Sequence, residues 1–442
     1  MGDTNLKKED RLRLLLMQSQ LTQQIIQNAI LLEQMKMKQR KKKEDEEAQK
    51  KKRKKRSIWV RKWLKRRPEL GQYRKLLNEL KKEDKKGFRN FMRMDYETFR
   101  EILHRIEPRI KKSGCNYRHP LSPGLKLAIT LRYLASGDNY HSLMYGFRVA
   151  HNTISILIRE VCEAIVAEFA AEMIPCPTTT EEWREISKKF SDRWNFHHCL
   201  GALDGKHIAM KCPKNGGSLY YNYKGFHSVI LMALVDGDYK FSWVEVGCNG
   251  SAGDAQVFNN GELKEAIEGG ILHFPPPEPL PNDDKDMPYF IVGDDAFALR
   301  QWLMKPFSLK KMTRPQRIFN YRLSRARRIV ENAFGILAHR FRCLLTTLQQ
   351  DPSTVSSIVL TCVCLHNLLR SKKPNEFGNE ADQEDENHNI IPGAWREDPP
   401  LHDGISEFAN NTTTQRAKLQ RDYLSAYYNS DAGSVPWQED MI

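Results

Sequence analysis

Three acidic side chains that lie far apart in the sequence have the types and contexts needed to bind divalent cations. Asp204 occurs in CLGALDGKHIAM, Asp294 in YFIVGDDAF and Glu331 in RARRIVENAFGILAHRFR. Each aspartate follows a short apolar run, residues 199–203 and 289–292, with the length and composition of a buried strand. A charge at the end of a buried strand is costly unless it is paired or binds a cation. The glutamate lies on a basic, amphipathic stretch that predicts a helix.

This set of residues suits the cleavage of phosphodiester bonds. The two-metal reaction requires carboxylates that hold two ions roughly 4 Å apart, so that one ion activates water and the other stabilises the leaving oxygen. Hard oxygen ligands suit Mg²⁺ or Mn²⁺. We expect Asp204 to bridge both ions, Asp294 to hold one, and Glu331 to complete the second site. Arg325 and Arg328, in the Arg-rich start of the same helix, are expected to hold the DNA backbone nearby.

Each acidic motif is weak when it is taken alone. DG and GDD are common turn sequences, and a carboxylate on an Arg-rich helix is more often a surface ion pair than a metal ligand. Two strand-end aspartates followed by a helical glutamate form a more specific pattern, because the elements occur in the order that the chemistry needs.

The elements around these residues predict an α/β fold for residues 195–370. Strand-like runs follow one another as HCLGALD, HIAMKC, HSVILMALVD, FSWVEVG and YFIVGD, with Gly205, Gly237 and Gly250 expected at turns between them. A helix-like AQVFNNGELKEAIEGG separates the fourth run from the fifth, and two long helices follow. This order predicts a ribonuclease H-like mixed sheet flanked by helices.

An all-α region is predicted upstream, over residues 57–190, from apolar and aromatic residues at helical intervals. Residues 143–156 are typical of a helix–turn–helix, in which His151, Asn152 and Thr153 would open the second helix and face DNA. A plain three-helix packing unit fits the same pattern equally well.

The charge is concentrated at the two ends of the chain. The net charge is +15, and residues 36–67 hold 18 Lys/Arg against 4 Asp/Glu. Residues 1–56 therefore predict a basic helical arm whose KKKRKKR run resembles a nuclear localisation signal, although a solvated linker has the same composition. Residues 371–442 hold 6 Lys/Arg against 14 Asp/Glu and predict an acidic, largely disordered tail with one loosely attached helix.

Other features exclude several classes of protein. The nine cysteines are scattered, with neither a disulfide framework nor a zinc-type pair of CxxC motifs. No apolar stretch approaches the roughly 20 residues that are needed to span a bilayer, and the polar N-terminus lacks the apolar core of a signal peptide. The sequence predicts a soluble intracellular protein with no membrane partner.

The motifs resemble those of the PIF/Harbinger-type DDE transposases, and most of all the animal Harbinger transposase-derived nucleases. The resemblance covers roughly residues 88–370, from LSPGLKLAITLRYLASGDNY to CVCLHNLL. The motifs between them are LDGKHI at Asp204, GSAGDAQVF at Asp254, GDDAFAL at Asp294 and the ENAFGIL that begins with Glu331. The family implies a DDE nuclease with a helix–turn–helix region, a divalent metal and a separate Myb/SANT-like DNA-binding partner. It leaves the role of Asp254 open between a helix cap and support of the metal ligands; we favour the cap, with His207 as a similar supporting residue.

The expected function is therefore that of a metal-dependent DNA nuclease of transposase descent, located in the nucleus with the cytoplasm as a second location. A homo-oligomer is also expected, because the apolar positions of the N-terminal helix suit pairing with a second copy. A domesticated DNA-binding or scaffold protein that keeps the acids without turnover is the alternative. An RNA-directed nuclease on the same fold is a third, weaker hypothesis.

Overall fold

The computed structural model describes residues 60–113, 120–214, 216–373, 380–403 and 414–442. The predicted basic arm of residues 1–56, with its nuclear-localisation-like run, lies outside the described residues. The folded body begins at Lys62.

Helices fill the described chain ahead of the sheet, where apolar residues recur at helical spacing. These helices are α1 (Lys62–Lys65), α2 (Arg67–Leu70), α3 (Leu76–Glu83), α4 (Lys85–Met92), α5 (Tyr96–Ile110), α6 (Pro123–Ser136), α7 (Tyr140–Phe147), α8 (His151–Met173) and α9 (Thr180–Trp194). Pro123 starts α6 as predicted, and Gly137 ends it with a φ of 69° that favours glycine. Both α5 and α6 pack on α8. Helix α8 also contacts the helix formed by Pro352–Lys372, and so connects this region to the rest of the core.

A mixed sheet follows and forms the centre of the body. Its strands are β1 (Cys199–Ala209), β2 (Ser228–Val235), β3 (Phe241–Asn249), β6 (Phe290–Val292), β7 (Leu303–Met304) and β10 (His402–Asp403), whereas β4 (Glu278–Pro279) pairs with β5 (Asp286–Met287) and β8 (Gln383–Glu384) with β9 (Ile390–Ile391) in separate ribbons. The main order is β3-β2-β1-β6-β7, and β10 also pairs with β1. Strands β1, β2 and β3 form the predicted antiparallel meander, and β6 runs parallel to β1.

The first strand is longer than the sequence indicates. The runs predicted as two strands separated by a turn at Gly205 form one unbroken strand, β1, so Asp204 lies within it rather than at its end. Gly205 is needed for a different reason: a Cβ placed there would lie 2.5 Å from Oδ1 of Asp254. A glycine inside a strand often marks such a close approach.

Helices cover the sheet and complete the fold class that the sequence predicts, a mixed sheet flanked by helices. After the short α10 (Asp254–Asn259) and α11 (Glu262–Glu268), the long α12 (Arg314–Arg340) contacts β1 and β2, and α13 (Pro352–Lys372) contacts β3 and α8. By length and composition α13 is apolar enough to cross a bilayer, contrary to the expectation that no stretch comes close. However, 72% of its most apolar window is buried inside the body. It is a core helix.

The prediction of a largely disordered tail is wrong for residues 380–403 and 414–442, which are folded onto the domain. Helix α14 (Gln415–Tyr427) contacts α12. The next residue, Tyr428, is fully buried and stacks on Phe196 with ring centroids 5.4 Å apart. Earlier in the tail, the buried Trp395 donates from Nε1 to Oδ1 of Asn332 at 2.7 Å. Its ring occupies the space that a Cβ on Gly335 of α12 would fill.

Charge complementarity explains why composition was misleading here. Glu380 accepts from Arg340 at 2.7 Å, and Asp398 accepts from His339 at 2.8 Å. The acids that predict disorder when the tail is considered alone are therefore partners of the basic side chains of α12.

Candidate functional site

Strand register brings Asp204 and Asp294 to the same level of the sheet. Ala202 of β1 is aligned with Val292 of the parallel strand β6, and each aspartate follows two residues later. Strand β6 ends at Val292 whereas β1 continues, so Asp294 lies at the carboxyl end of its strand. Asp204 is 4% exposed and is therefore held in a medium of low polarity. This adjacency is what the sequence predicts for the two residues.

Asp254 joins the two strand aspartates. It is the first residue of α10, whose N-cap is Gly253 with no side-chain cap bond, so the predicted helix-capping role is wrong. The side chain is buried against Gly205, and its Oδ1 accepts no hydrogen bond from any described residue. A buried carboxylate oxygen without a donor is costly, and its presence points to a missing partner.

The three carboxyl groups repel one another. Burial raises the pKa of Asp254 to about 8, and the charges of Asp204 and Asp294 add to the effect. Burial and the charge of Asp204 raise the pKa of Asp294 to about 6, against the opposing effects of Arg327 and the backbone N–H of Ala296. Such coupling is typical of carboxylates that share a site. A cation placed among them would relieve the repulsion.

Of the two aspartates in the GDD sequence, Asp294 belongs to this group. Asp295 is exposed, and its backbone carbonyl accepts a hydrogen bond from Lys305.

Lys206 lies beside the aspartates and was not predicted as a site residue. Its Nζ lies 3.0 Å from Oδ2 of Asp204 and 2.5 Å from Oδ1 of Asp403, and its side chain is only 10% exposed. Burial disfavours the ammonium, but attraction to the two aspartates outweighs burial and raises the pKa of Lys206. Because side chains alternate along a strand, residues 204 and 206 lie on the same face. The lysine of LDGKHI could therefore be predicted to lie beside Asp204. Asp403 could not be found from the sequence, because it lies in the segment that predicts disorder.

Glu331 lies farther out than the sequence predicts. Its side chain is 41% exposed, and Oε1 is 3.7 Å from Nη2 of Arg327, one helical turn earlier. The positive charge of Arg327 also lowers the pKa of Asp294. Arg327 therefore interacts with both Glu331 and Asp294. Within the described part of the chain, no three His, Cys, Asp or Glu side chains are arranged closely enough to hold a metal ion.

His207 supports the strand pair next to the site. It is 1% exposed, and its Nδ1 lies 2.9 Å from Oγ of Ser228 on β2. Burial lowers the pKa of His207 to about 4, so the ring is neutral at pH 7. A role of His207 in supporting Asp204 stays a prediction.

The arginines that were predicted to hold DNA are used inside the protein. Arg325 is 2% exposed and its Nη2 is 2.6 Å from Oε2 of Glu384, and Arg328 binds the same carboxylate at 3.2 Å. The guanidinium of Arg325 also stacks on Trp437. Because this face of α12 is covered by the C-terminal segment, Arg325 and Arg328 are not available to a DNA backbone. Arg327, on a different face, is directed towards the acids.

The residues predicted to face DNA bases lie at the start of α8. Asn152 is exposed, His151 and Thr153 are partly exposed, and the His151 ring stacks on His141 of α7 at 4.5 Å. A helix–turn–helix in this region, and DNA contact by these residues, stay predictions.

A family model described as a DDE superfamily endonuclease matches residues 203–367. These residues are similar to a DDE superfamily endonuclease domain and are called the DDE domain below. The DDE domain contains Asp204, Asp254, Asp294 and Glu331, together with the strands and helices that position them.

Two relatives extend the similarity beyond the DDE domain. One is the protein ALP1-like of Arabidopsis thaliana, 27% identical over 65% of this chain and 71% of that protein. The other is HARBI1 of Homo sapiens, which is named as a candidate nuclease and is 28% identical over 58% of this chain and 71% of its own length. The resemblance to Harbinger-derived nucleases is thereby confirmed. No solved structure matches the chain.

The donor atoms of the DDE domain are of the kind that a hard divalent cation prefers, although no three described acids are close enough to hold one in this structure. Asp204, Asp254 and Asp294 offer anionic oxygens, which Mg²⁺ and Mn²⁺ prefer. The orphaned Oδ1 of Asp254 and the raised pKa values of Asp254 and Asp294 are the features expected of carboxylates whose counter-charge is absent.

Proposed function

We propose that this chain is a divalent-metal-dependent DNA endonuclease of transposase descent, with a ribonuclease H-like nuclease domain. One observation carries the proposal: the buried Asp204 and Asp254 and the partly buried Asp294, from β1, α10 and the end of β6, lie near enough to repel one another, although no three described acids are close enough to hold an ion in this structure. Burying like charges close together is unfavourable for folding. A divalent cation bound between them would offset their repulsion. The match of this region to DDE endonucleases supplies the reaction class.

Each side chain has a distinct role in this proposal. Asp204, Asp254 and Asp294 would hold the cation, and Glu331 would join them after leaving Arg327, a change that a helical side chain 41% exposed has room to make. Bound there, Mg²⁺ or Mn²⁺ would activate water and stabilise the leaving oxygen. Lys206 reduces the repulsion around Asp204. Arg327, once released from Glu331, offers its guanidinium to a phosphate oxygen of the substrate.

The partners in the proposal come from the resemblance and from charge. DNA is the substrate, and His151, Asn152 and Thr153 at the start of α8 would contact it. A Myb/SANT-like protein is the proposed DNA-binding partner, and a second copy of the chain is another. The KKKRKKR run supports a nuclear location.

Metal dependence is the test of the proposed function. The full-length protein should convert supercoiled plasmid into nicked and linear forms with Mn²⁺ and should leave it intact in EDTA. Glu331→Gln should lower the rate at least about a hundredfold, because a lost ligand weakens transition-state stabilisation and each 1.4 kcal/mol is about tenfold.

The matched control for Glu331 is Glu268→Gln. Glu268 is also an exposed glutamate in an i,i+4 ion pair, with Lys264 at 3.9 Å on α11, and its replacement should leave the rate unchanged. Cleavage that survives EDTA, or equal rates for the two variants, would contradict the proposal. Parallel assays with RNA duplexes separate a DNA nuclease from an RNA nuclease.

A DNA-binding protein without turnover is the second candidate, and one observation favours it. Glu331 is paired with Arg327, and the described side chains include no closed group of three metal ligands. If the protein binds duplex DNA with equal affinity in Mn²⁺ and in EDTA but never cleaves it, this candidate replaces the nuclease.

A further inference from the structure

A second, strongly basic cavity lies outside the carboxylate site. Its volume is about 470 Å³, and it is formed where the end of α4, the end of α6 and the 3-10 turn Arg342–Leu345 come together. Arg93, Arg132 and Arg342 line it, and no described carboxylate does. A concave site lined by three guanidinium groups has donors of the kind that recognise phosphate.

One feature of Arg93 calls for a partner. Its Nε is buried and donates to no described acceptor, although Nη1 donates to Oδ1 of Asn90 at 2.9 Å. Buried donors in proteins are usually satisfied, so an unsatisfied one favours an acceptor at this position. The left-handed φ of 61° at Arg93 is that of an ordinary helix end.

The charges around the cavity are incompletely neutralised. Burial, together with repulsion from Arg342, Arg132 and Arg340, lowers the pKa of Arg93, against the attraction of Asp398. Arg342 has a close partner, Asp398, at 2.5 Å, whereas Arg132 lies over the ring of Phe91 and 4.0 Å from Asp138. An anion placed among the three guanidinium groups would offset their repulsion.

The two hydroxyl groups that line the cavity already donate their protons within the protein. Ser136 Oγ donates to the carbonyl of Arg132 at 2.7 Å, and Thr346 Oγ1 donates to the carbonyl of Cys343 at 2.8 Å. Because each hydroxyl has one proton to donate, neither is free to donate to a ligand in this state. The arginine side chains are the donors that an anion would meet.

The cavity is separate from the aspartates but within reach of the same nucleic acid. Arg342 lies two residues beyond the end of α12, the helix that carries Glu331. Pro399, which lines the cavity, precedes Asp403 by four residues, which span at most about 14 Å.

We propose that this cavity binds a phosphate group of the DNA backbone, at a position separate from the carboxylate site. Arg93 and Arg132 donate to its oxygens, and Arg342 is shared between the ligand and Asp398. The identity of the ligand as DNA rests on the proposed function. A free phosphate has the same chemistry, so the experiment must separate the two sources.

The test uses the full-length chain and a fluorescent 30-base-pair duplex in EDTA, so that binding is measured without cleavage. Arg93→Gly suits the left-handed backbone and removes only the side chain, and Arg132→Gln removes the second charge. Each should weaken duplex binding about tenfold at 150 mM salt and lower the slope of log affinity against log salt by about one. Arg184→Gln removes one exposed charge on α9, outside the cavity, and should change affinity less than twofold.

The other arm is thermal melting with and without inorganic phosphate. Duplex affinity that falls in both cavity variants but not in Arg184→Gln supports the proposal, even if the protein never cleaves DNA. If phosphate raises the melting temperature of the wild type alone while duplex affinity is the same in every variant, the cavity takes free phosphate and the backbone assignment is overturned. If neither readout differs between the cavity variants and the wild type, the cavity is not a phosphate site.

Discussion

Asp204→Asn and Asp294→Asn should each abolish DNA cleavage while leaving the fold and DNA binding intact. Both aspartates lie at the same level of neighbouring parallel strands, and both repel the buried carboxyl of Asp254. An amide keeps the shape but loses the charge that a divalent cation requires. Because metal ions contribute several kcal/mol to such reactions, a loss of at least about a thousandfold is expected.

The neighbouring Asp295 provides the matched control. Asp295→Asn removes the same charge at the next position, where the side chain is exposed. Its cleavage rate should remain within about twofold of the wild type. Plasmid cleavage with Mn²⁺ measures the rate, and circular dichroism with duplex binding in EDTA shows that fold and affinity persist. Equal activity of Asp204→Asn and Asp295→Asn would show that the aspartates do not act in catalysis.

Asp254→Asn should stabilise the metal-free protein at pH 8. Burial and two neighbouring carboxylates raise the pKa of Asp254 in the folded state from its ordinary value of 3.8 to about 8. Between pH 4 and pH 8 the folded state therefore keeps a proton that the unfolded chain loses, so the free energy of unfolding falls as the pH rises. Each pKa unit corresponds to about 1.4 kcal/mol. The asparagine variant avoids this loss, which is on the order of a few kcal/mol.

Urea unfolding at pH 4.5 and pH 8, in EDTA, measures this effect. The stability difference between Asp254→Asn and wild type should be small at pH 4.5 and several-fold larger at pH 8. Mn²⁺ should then stabilise the wild type but not the variant, because the ligand is gone. The exposed Asp284→Asn should show no such trend. A difference that is the same at both pH values would mean that Asp254 is not a repelled carboxyl.

Local sequence pattern places Asp204 and Asp294 next to neighbouring buried strands, because each follows an apolar run, and their role as metal ligands stays a prediction. It predicts the helix of Glu331 equally well from helical periodicity. The pattern gives the wrong role for Gly205, because the sequence alone cannot distinguish a glycine at a turn from a glycine against which another side chain packs. The contact of Gly205 with Asp254 spans about fifty residues and depends on how α10 packs against β1.

Long-range pairing also explains the errors in the C-terminal segment and on α12. A stretch with many acids and few apolar residues predicts disorder by composition. Glu384 forms ion pairs with Arg325 and Arg328 that depend on long-range folding. Because of these pairs, the two arginines do not lie on a surface that DNA could contact. Asp403 approaches Lys206 in the same way, through the pairing of β10 with β1.

A crystal of the full-length protein soaked in Mn²⁺, with anomalous scattering used to locate the ion, tests the central claim most directly. We expect Mn²⁺ among the carboxylate oxygens of Asp204, Asp254 and Asp294, at about 2.1–2.2 Å, with Glu331 turned away from Arg327 towards the ion. An ion bound elsewhere, with Lys206 still against Asp204 and the Oδ1 of Asp254 still without a partner, would contradict the account.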